Sequence, residues 1–210
     1  MTEDGPAGVD VTALARWLAD LANQPVESAT LDIRRPSGGG WSNDTLFVND
    51  VVVRLAPSGP AMFPDYDLGR QYLMIRELSA GRRVPVPEVL DADLDGSRLG
   101  RPALIMERVN GRAPSDDRPS FAEAGFLFEA SPAGQRSFHV ALLDAVVAIH
   151  GTPLSADLAV ALGADQRNPL ERALDELEKT WRFDRGEHWA SVVDDALEHL
   201  RITRPPAQPD

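Results

Sequence analysis

The chain has 210 residues, 43% of them hydrophobic and 26% charged, enough for one large domain or two small lobes around a real core. No run of about 18 apolar residues occurs, which excludes a long apolar membrane span. A formal net charge of -12 excludes a general nucleic-acid binder, because phosphate neutralisation needs a basic surface. There is no cysteine, so disulfides and thiolate metal sites are ruled out and a cytoplasmic setting is expected. Met1 to Asp10 is acidic and lacks the apolar centre of a secretory signal.

Val11 to Asn23 carries Val11, Leu14, Trp17, Leu18 and Leu21 on one helical stripe, with Asp10 or Thr12 as its cap and Asn23 before Pro25 as its end. Three strands follow: Leu31 with Ile33, then Leu46 to Val48, then Val51 to Val53 ending at Arg54. The dipeptide Asn49-Asp50 tolerates left-handed geometry and predicts a tight hairpin between the second and third. After a proline-rich loop over 56–64, Asp65 to Ala80 reads as a helix, with Asp67-Leu68-Gly69 as its entry turn and Gly81 as its stop. Val84-Pro85-Val86-Pro87 must be extended. Glu88 to Ala92 and Ala103 to Glu107 then form a second antiparallel pair, with Asp95-Gly96 as the turn signal.

After Gly111 the character changes. Arg112 to Ser120 is polar and proline-rich, and from Phe121 onward there is no strand pattern. Helices are expected over Gln135 to His150, Leu170 to Phe183 and Trp189 to Leu200. The expected division is an N-terminal helix over 1–28, a β-rich lobe over 29–111 and a helical lobe over 112–210, an α+β arrangement. His150 closes its helix where a cation is favourable, Trp181, Phe183 and Trp189 are expected to pack the helical part, and Asp194-Asp195 and Glu176 with Glu178 read as solvated charges.

The run Ser37-Gly38-Gly39-Gly40-Trp41-Ser42-Asn43-Asp44 sits between the first two strands. Glycines let backbone N–H groups approach an anion, and Arg54, at the end of the third strand, supplies fixed positive charge. The run lacks the Gly-Lys pair of a Walker loop, and the G-x-G-x-x-G pattern fails at Asn43. Taken alone, it also reads as a flexible hairpin.

Gly40-Trp41-Ser42-Asn43, Val52-Val53-Arg54-Leu55-Ala56-Pro57 and Met106-Glu107-Arg108-Val109-Asn110-Gly111 occur in an order that resembles the aminoglycoside-phosphotransferase and choline-kinase-like group of small-molecule kinases. Val84-Pro85-Val86-Pro87, Gly125 to Pro132 and Ala148-Ile149-His150 resemble the branch found alongside acyl-CoA dehydrogenases. The likeness runs from about Leu31 to the end. It implies a protein-kinase-like two-lobe fold, with a five-stranded antiparallel N-lobe, one inserted helix and a partial helical C-lobe. It also implies ATP binding. Gly38, Gly39, Gly40, Ser42 and Asn43 would cover the phosphates, and Arg54 would neutralise them beside Gln71. Glu107 and Val109 would hold adenine through backbone atoms.

The sequence departs from that group in three places. Arg54 replaces the usual lysine, which keeps the charge but alters the geometry. Gln71 stands where kinases place a glutamate, so it can hydrogen-bond but cannot pair charge. The third departure concerns catalysis: none of His139, His150, His188 and His199 begins a catalytic segment, and no Gly-Asp pair occurs. Leu200 to Pro206 resembles the stretch that precedes that segment, so the chain reads as ending just before it. No catalytic residue and no metal ligand is therefore assigned within it, and Mg2+ is expected only in an intact form.

The expected activity of such a form is transfer of the γ-phosphoryl of ATP to a hydroxyl on a small molecule. The alternatives are a non-catalytic nucleotide- or partner-binding module, or a structural domain whose glycine run is only a hairpin. Helix faces left without their catalytic segment would favour self-association.

Overall fold

A computed structural model describes residues 6–25, 31–36, 42–59, 63–115, 117–164, 168–183 and 190–203. The chain forms two compact units, one of Met1–Pro60 with Asp67–Ser155, the other of Ala61–Tyr66 with Ala156–Asp210. Among the described residues no helix is long and apolar enough to cross a membrane.

In the first unit helix α1 spans Val11–Ala22. Of the two candidate caps Asp10 is the one used: its carboxylate accepts from the backbone N–H groups of Thr12 and Ala13, at 2.8 and 3.0 Å. Asn23, at φ 51°, takes the left-handed position that ends the helix.

The strands β1 (Ile33–Arg34), β2 (Asp44–Val48), β3 (Val51–Leu55), β4 (Val89–Asp93) and β5 (Ala103–Glu107) form one antiparallel sheet in the order β1-β2-β3-β5-β4. The expected tight turn is present, with Asn49 at φ 51°. The Asn49 side-chain oxygen also accepts from the Asp32 N–H at 2.9 Å, which ties the turn to β1.

Period-two alternation divides the sheet between two environments. Leu46, Val48, Val53, Leu55, Ala103 and Ile105 point to one face and are buried there with Leu14 and Trp17 of α1, Val9 and Leu99. Burying each of the larger apolar side chains contributes about 1.5–3 kcal/mol. Trp17 adds a polar anchor, its indole N–H donating to Asp91 at 2.7 Å. The other face carries Thr45, Arg54 and Leu104 side by side across three strands. Helix α2 (Leu68–Gly81) packs against β4 and β5.

Two local expectations need correction. The β4–β5 pair is antiparallel as expected, but Asp95-Gly96 forms only part of a longer connection over 94–102. Asp93, which is buried, holds it by accepting from the N–H and hydroxyl of Ser97 and the N–H of Arg98. Gly96 keeps φ +75°, and a Cβ there would come within 2.8 Å of the Arg101 backbone. Helix α2 ends with Arg82 in the left-handed position at φ 49°, while Gly81 stays helical. The entry turn is as expected, the Asp67 carboxylate accepting from the Arg70 N–H at 2.9 Å.

Helix α3 (Pro132–His150) starts earlier than its apolar periodicity suggests, because Ser131 caps it through the Gly134 N–H and Pro132 suits a first helical position. In the second unit a short helix α4 (Ala156–Ala161), too brief for periodicity to reveal, precedes α5 (Pro169–Phe183) and α6 (Ala190–Thr203). Trp181 donates its indole N–H to Asp194 at 2.9 Å, and Arg201 pairs with Asp175 at 2.9 Å and with Glu178. Asp194 and Glu178 are thus engaged between helices rather than freely solvated. Phe183 is exposed, and Trp189 lies outside the described residues.

Candidate functional site

Arg54 is the one cation on the central strand β3. Since Val53 and Leu55 point into the core, Arg54 must point to the opposite face, between Thr45 of β2 and Leu104 of β5. It is half-buried, and Nη1 donates to the Gln71 side-chain oxygen of α2 at 3.2 Å. Two candidate residues 17 positions apart are therefore brought together. No acid pairs with Arg54 among the described residues, and its Nε is buried without a hydrogen-bond acceptor. A guanidinium in that position needs an anionic or acceptor partner, since an unpaired buried charge is costly.

Asn43 lies just before β2, two residues ahead of Thr45, the cross-strand partner of Arg54. Its Nδ2 donates to Ser42 Oγ at 3.1 Å, and its Oδ1 is buried without a donor among the described residues. Turning this amide by 180° lets the Ser42 hydroxyl donate to Oδ1 and frees Nδ2 to donate elsewhere. Arg54 and Asn43 thus leave buried polar capacity unused at one end of the β2–β3 pair, where an anion with acceptor oxygens would satisfy it. Gly38, Gly39 and Gly40 lie outside the described residues.

Glu107 closes β5 opposite Val51, its backbone N–H donating to Glu88 at 2.9 Å. Val109 follows, 64% exposed. The linker between them is braced by Arg108, which donates to the Asn49 carbonyl at 3.0 Å and lies over the Phe47 ring at 4.8 Å. Glu107 and Val109 therefore sit on a held strand end that leads out of the sheet carrying Arg54.

Sequence reasoning missed Arg101. Its guanidinium donates to Asp44 and to the Ala56 carbonyl, both at 2.6 Å, and to the Ala7 carbonyl at 2.7 Å. Burial pushes the Asp44 carboxyl up, but hydrogen bonds from Arg101 and Ser58 outweigh that and hold it below its ordinary value. No local pattern marks Arg101, because all three partners are far away in the sequence. A concave feature of about 990 Å³ opens in the same unit between Phe121, Phe128, Phe138, His139 and Leu142. It was not foreseen either. No group of His, Asp and Glu side chains among the described residues is arranged to hold a metal ion.

The model of the phosphotransferase enzyme family matches residues 32–210. The Arabidopsis thaliana protein IBR3, named as an acyl-CoA dehydrogenase, is 27% identical over 149 residues, which is 65% of this chain and 18% of that protein. Among solved structures, one assigned to the aminoglycoside phosphotransferases, from Ralstonia eutropha, is similar with a TM-score of 0.58 and 21% identity. The alignment covers 94% of this chain and 54% of that one. The GDP complex of aminoglycoside 2'-phosphotransferase-IIIa is similar with a TM-score of 0.50 and 14% identity, over 89% of this chain and 58% of that one. The chain thus spans a little over half the length of these structures. At such identities the likeness shows the fold, which is kinase-like with its five-stranded antiparallel sheet.

Proposed function

Because this chain belongs to the phosphotransferase enzyme family, we propose that it is the nucleotide-binding part of an ATP-dependent kinase acting on a small-molecule hydroxyl. The observation that carries this reading is Arg54, half-buried on the central strand, held by a neutral amide and with Nε unpaired. Its charge is uncompensated from within the described residues, and a triphosphate would compensate it.

On this reading Arg54 neutralises phosphate oxygens, and Gln71 orients the guanidinium without cancelling its charge. Asn43 donates to the same group through Nδ2 while the Ser42 hydroxyl holds its side-chain oxygen, and Gly38, Gly39 and Gly40 are assigned to cover it. The backbone at Glu107 and Val109 holds adenine. ATP supplies the transferable γ-phosphoryl group. No catalytic base and no Mg2+ ligand is assigned within these 210 residues, which contain no Gly-Asp pair. That lack also favours a second reading, a non-catalytic nucleotide-binding module. A phosphoryl-transfer assay on the full-length gene product separates the two. The protein is placed in the cytoplasm, where ATP is at hand, and the apolar flanks of α3 give the isolated chain a tendency to self-associate.

A thermal-shift titration tests the nucleotide claim, with GTP run beside ATP because the similar 2'-phosphotransferase-IIIa was captured with GDP. Ligand at about 100 times its dissociation constant stabilises the folded state by about 2.7 kcal/mol, so a clear rise in Tm is expected for wild type. Arg54→Ala should lose it. No rise in wild type with either nucleotide, or an equal rise in Arg54→Ala, would overturn the reading.

A further inference from the structure

We infer that Arg101 is a positioning residue for the nucleotide site, clamping the strand ends that carry Asn43 and Arg54 and tying them to the N-terminal segment. The inference rests on the nucleotide reading of Arg54 and Asn43 given above.

Arg101 Nη1 reaches two points on either side of one hairpin end. Asp44 is the first residue of β2 and directly follows Asn43; Ala56 directly follows Leu55, the last residue of β3 and the neighbour of Arg54. Asp44 and Leu55 are cross-strand partners, so this single guanidinium bridges the open end of the β2–β3 pair. The ladder's own hydrogen bonds stop there, and strand ends fray without a further restraint. Asn43 lies one residue beyond the ladder, where its position depends on that restraint.

The third contact is to Ala7, through Nη2. Ala7 adopts φ 67°, a left-handed conformation that is strained for a non-glycine residue and therefore persists only where surrounding contacts impose it. The Arg101 bond to the Ala7 carbonyl is such a contact. Ala7 lies ahead of the residues matched by the family model, so the clamp joins a segment outside the match to the nucleotide site.

Arg101 is itself well fixed. Its side chain is 15% exposed, that of Asp44 22%. Its backbone lies against Gly96, where even a Cβ would come within 2.8 Å. A planar fork with five donors can serve two carbonyls and a carboxylate together; a lysine ammonium has three donors but cannot span the same separated acceptors in one plane.

A merely structural role would lower stability and leave ligand preference alone. A positioning role predicts a selective loss of phosphate recognition, because adenine is assigned to the Glu107–Val109 backbone, away from the clamp. The test measures ATP and adenosine binding by calorimetry on the 210-residue chain, comparing wild type with Arg101→Lys, Arg101→Ala and Asp44→Asn. The expected result is a five- to tenfold loss of ATP affinity in Arg101→Ala, a smaller loss in Arg101→Lys and Asp44→Asn, and unchanged adenosine affinity. Equal loss for both ligands, or no loss for ATP, overturns the inference while leaving the nucleotide reading intact. Failure of wild type to bind ATP overturns both.

Hydrogen exchange on wild type keeps the inference falsifiable should the variants fail to fold. ATP is expected to slow amide exchange both at residues 42–45 and at residues 7–10. Protection at 42–45 alone would overturn the link to the N-terminal segment.

Discussion

Arg54 and Asp44 lie at the same end of the β2–β3 pair, and their environments are opposite. Arg54 meets a neutral amide, so its charge stays available. Asp44 meets Arg101 and Ser58, which hold its carboxyl below the ordinary value despite burial. The sign of the resulting pH dependence follows from linkage. A folded-state value below the unfolded one stabilises the protein above the ordinary carboxylate pKa, near 3.9, and that stability is lost as pH falls through the folded value. Wild type should therefore exceed Asp44→Asn in urea midpoint at pH 7, and the gap should shrink as the titration is taken to pH 3. A gap that stays constant would show that the Asp44 charge contributes nothing to the clamp.

Helix α1 and the sheet show how much depends on elements that no site motif marks. The family match begins at residue 32, yet Leu14 and Trp17 of α1 are fully buried against β2, β3 and β5. Trp17 also satisfies Asp91 on β4 through its indole N–H and lies under the Arg98 guanidinium at 5.5 Å. Trp17→Ala should cost about 3–5 kcal/mol through the cavity and the lost contacts, read as a lowered urea midpoint. Trp17→Phe keeps most of the packing and should lose only the hydrogen bond, about 1 kcal/mol. If Trp17→Ala lost less than Trp17→Phe is expected to, α1 would be an appendage rather than part of the core.

At the scale of the whole molecule, helix α3 stands out. It has no buried side chain, while Val140, Leu142, Leu143 and Val147 are about half exposed or more. A helix apolar on several sides is ordinarily covered by something. Sedimentation velocity on the 210-residue chain should show a weight-average mass that rises with concentration. The double variant Leu142→Lys with Val147→Lys should reduce that rise, with little change in the unfolding midpoint, because neither side chain is buried. A wild-type chain that stays monomeric across the range would remove self-association from the proposal.

What the sequence determined by itself were the features that depend on neighbours along the chain. The five strands, the Asn49-Asp50 turn, the Asp67 helix entry and the long helices were legible because alternation, helical spacing and capping act over a few residues. Arg54 was legible as a candidate because a cation stands near the end of an otherwise apolar strand. The pairing of Gln71 with Arg54 was expected only through the family resemblance, and the tertiary structure alone decided that α1 covers one face of the sheet and that Arg101 joins Ala7, Asp44 and Ala56. These contacts close distances of 17 to 94 residues along the chain, and no local propensity encodes which side chains will meet across such separations. They arise when the sheet assembles and its buried polar groups take whatever partners the packing brings within reach.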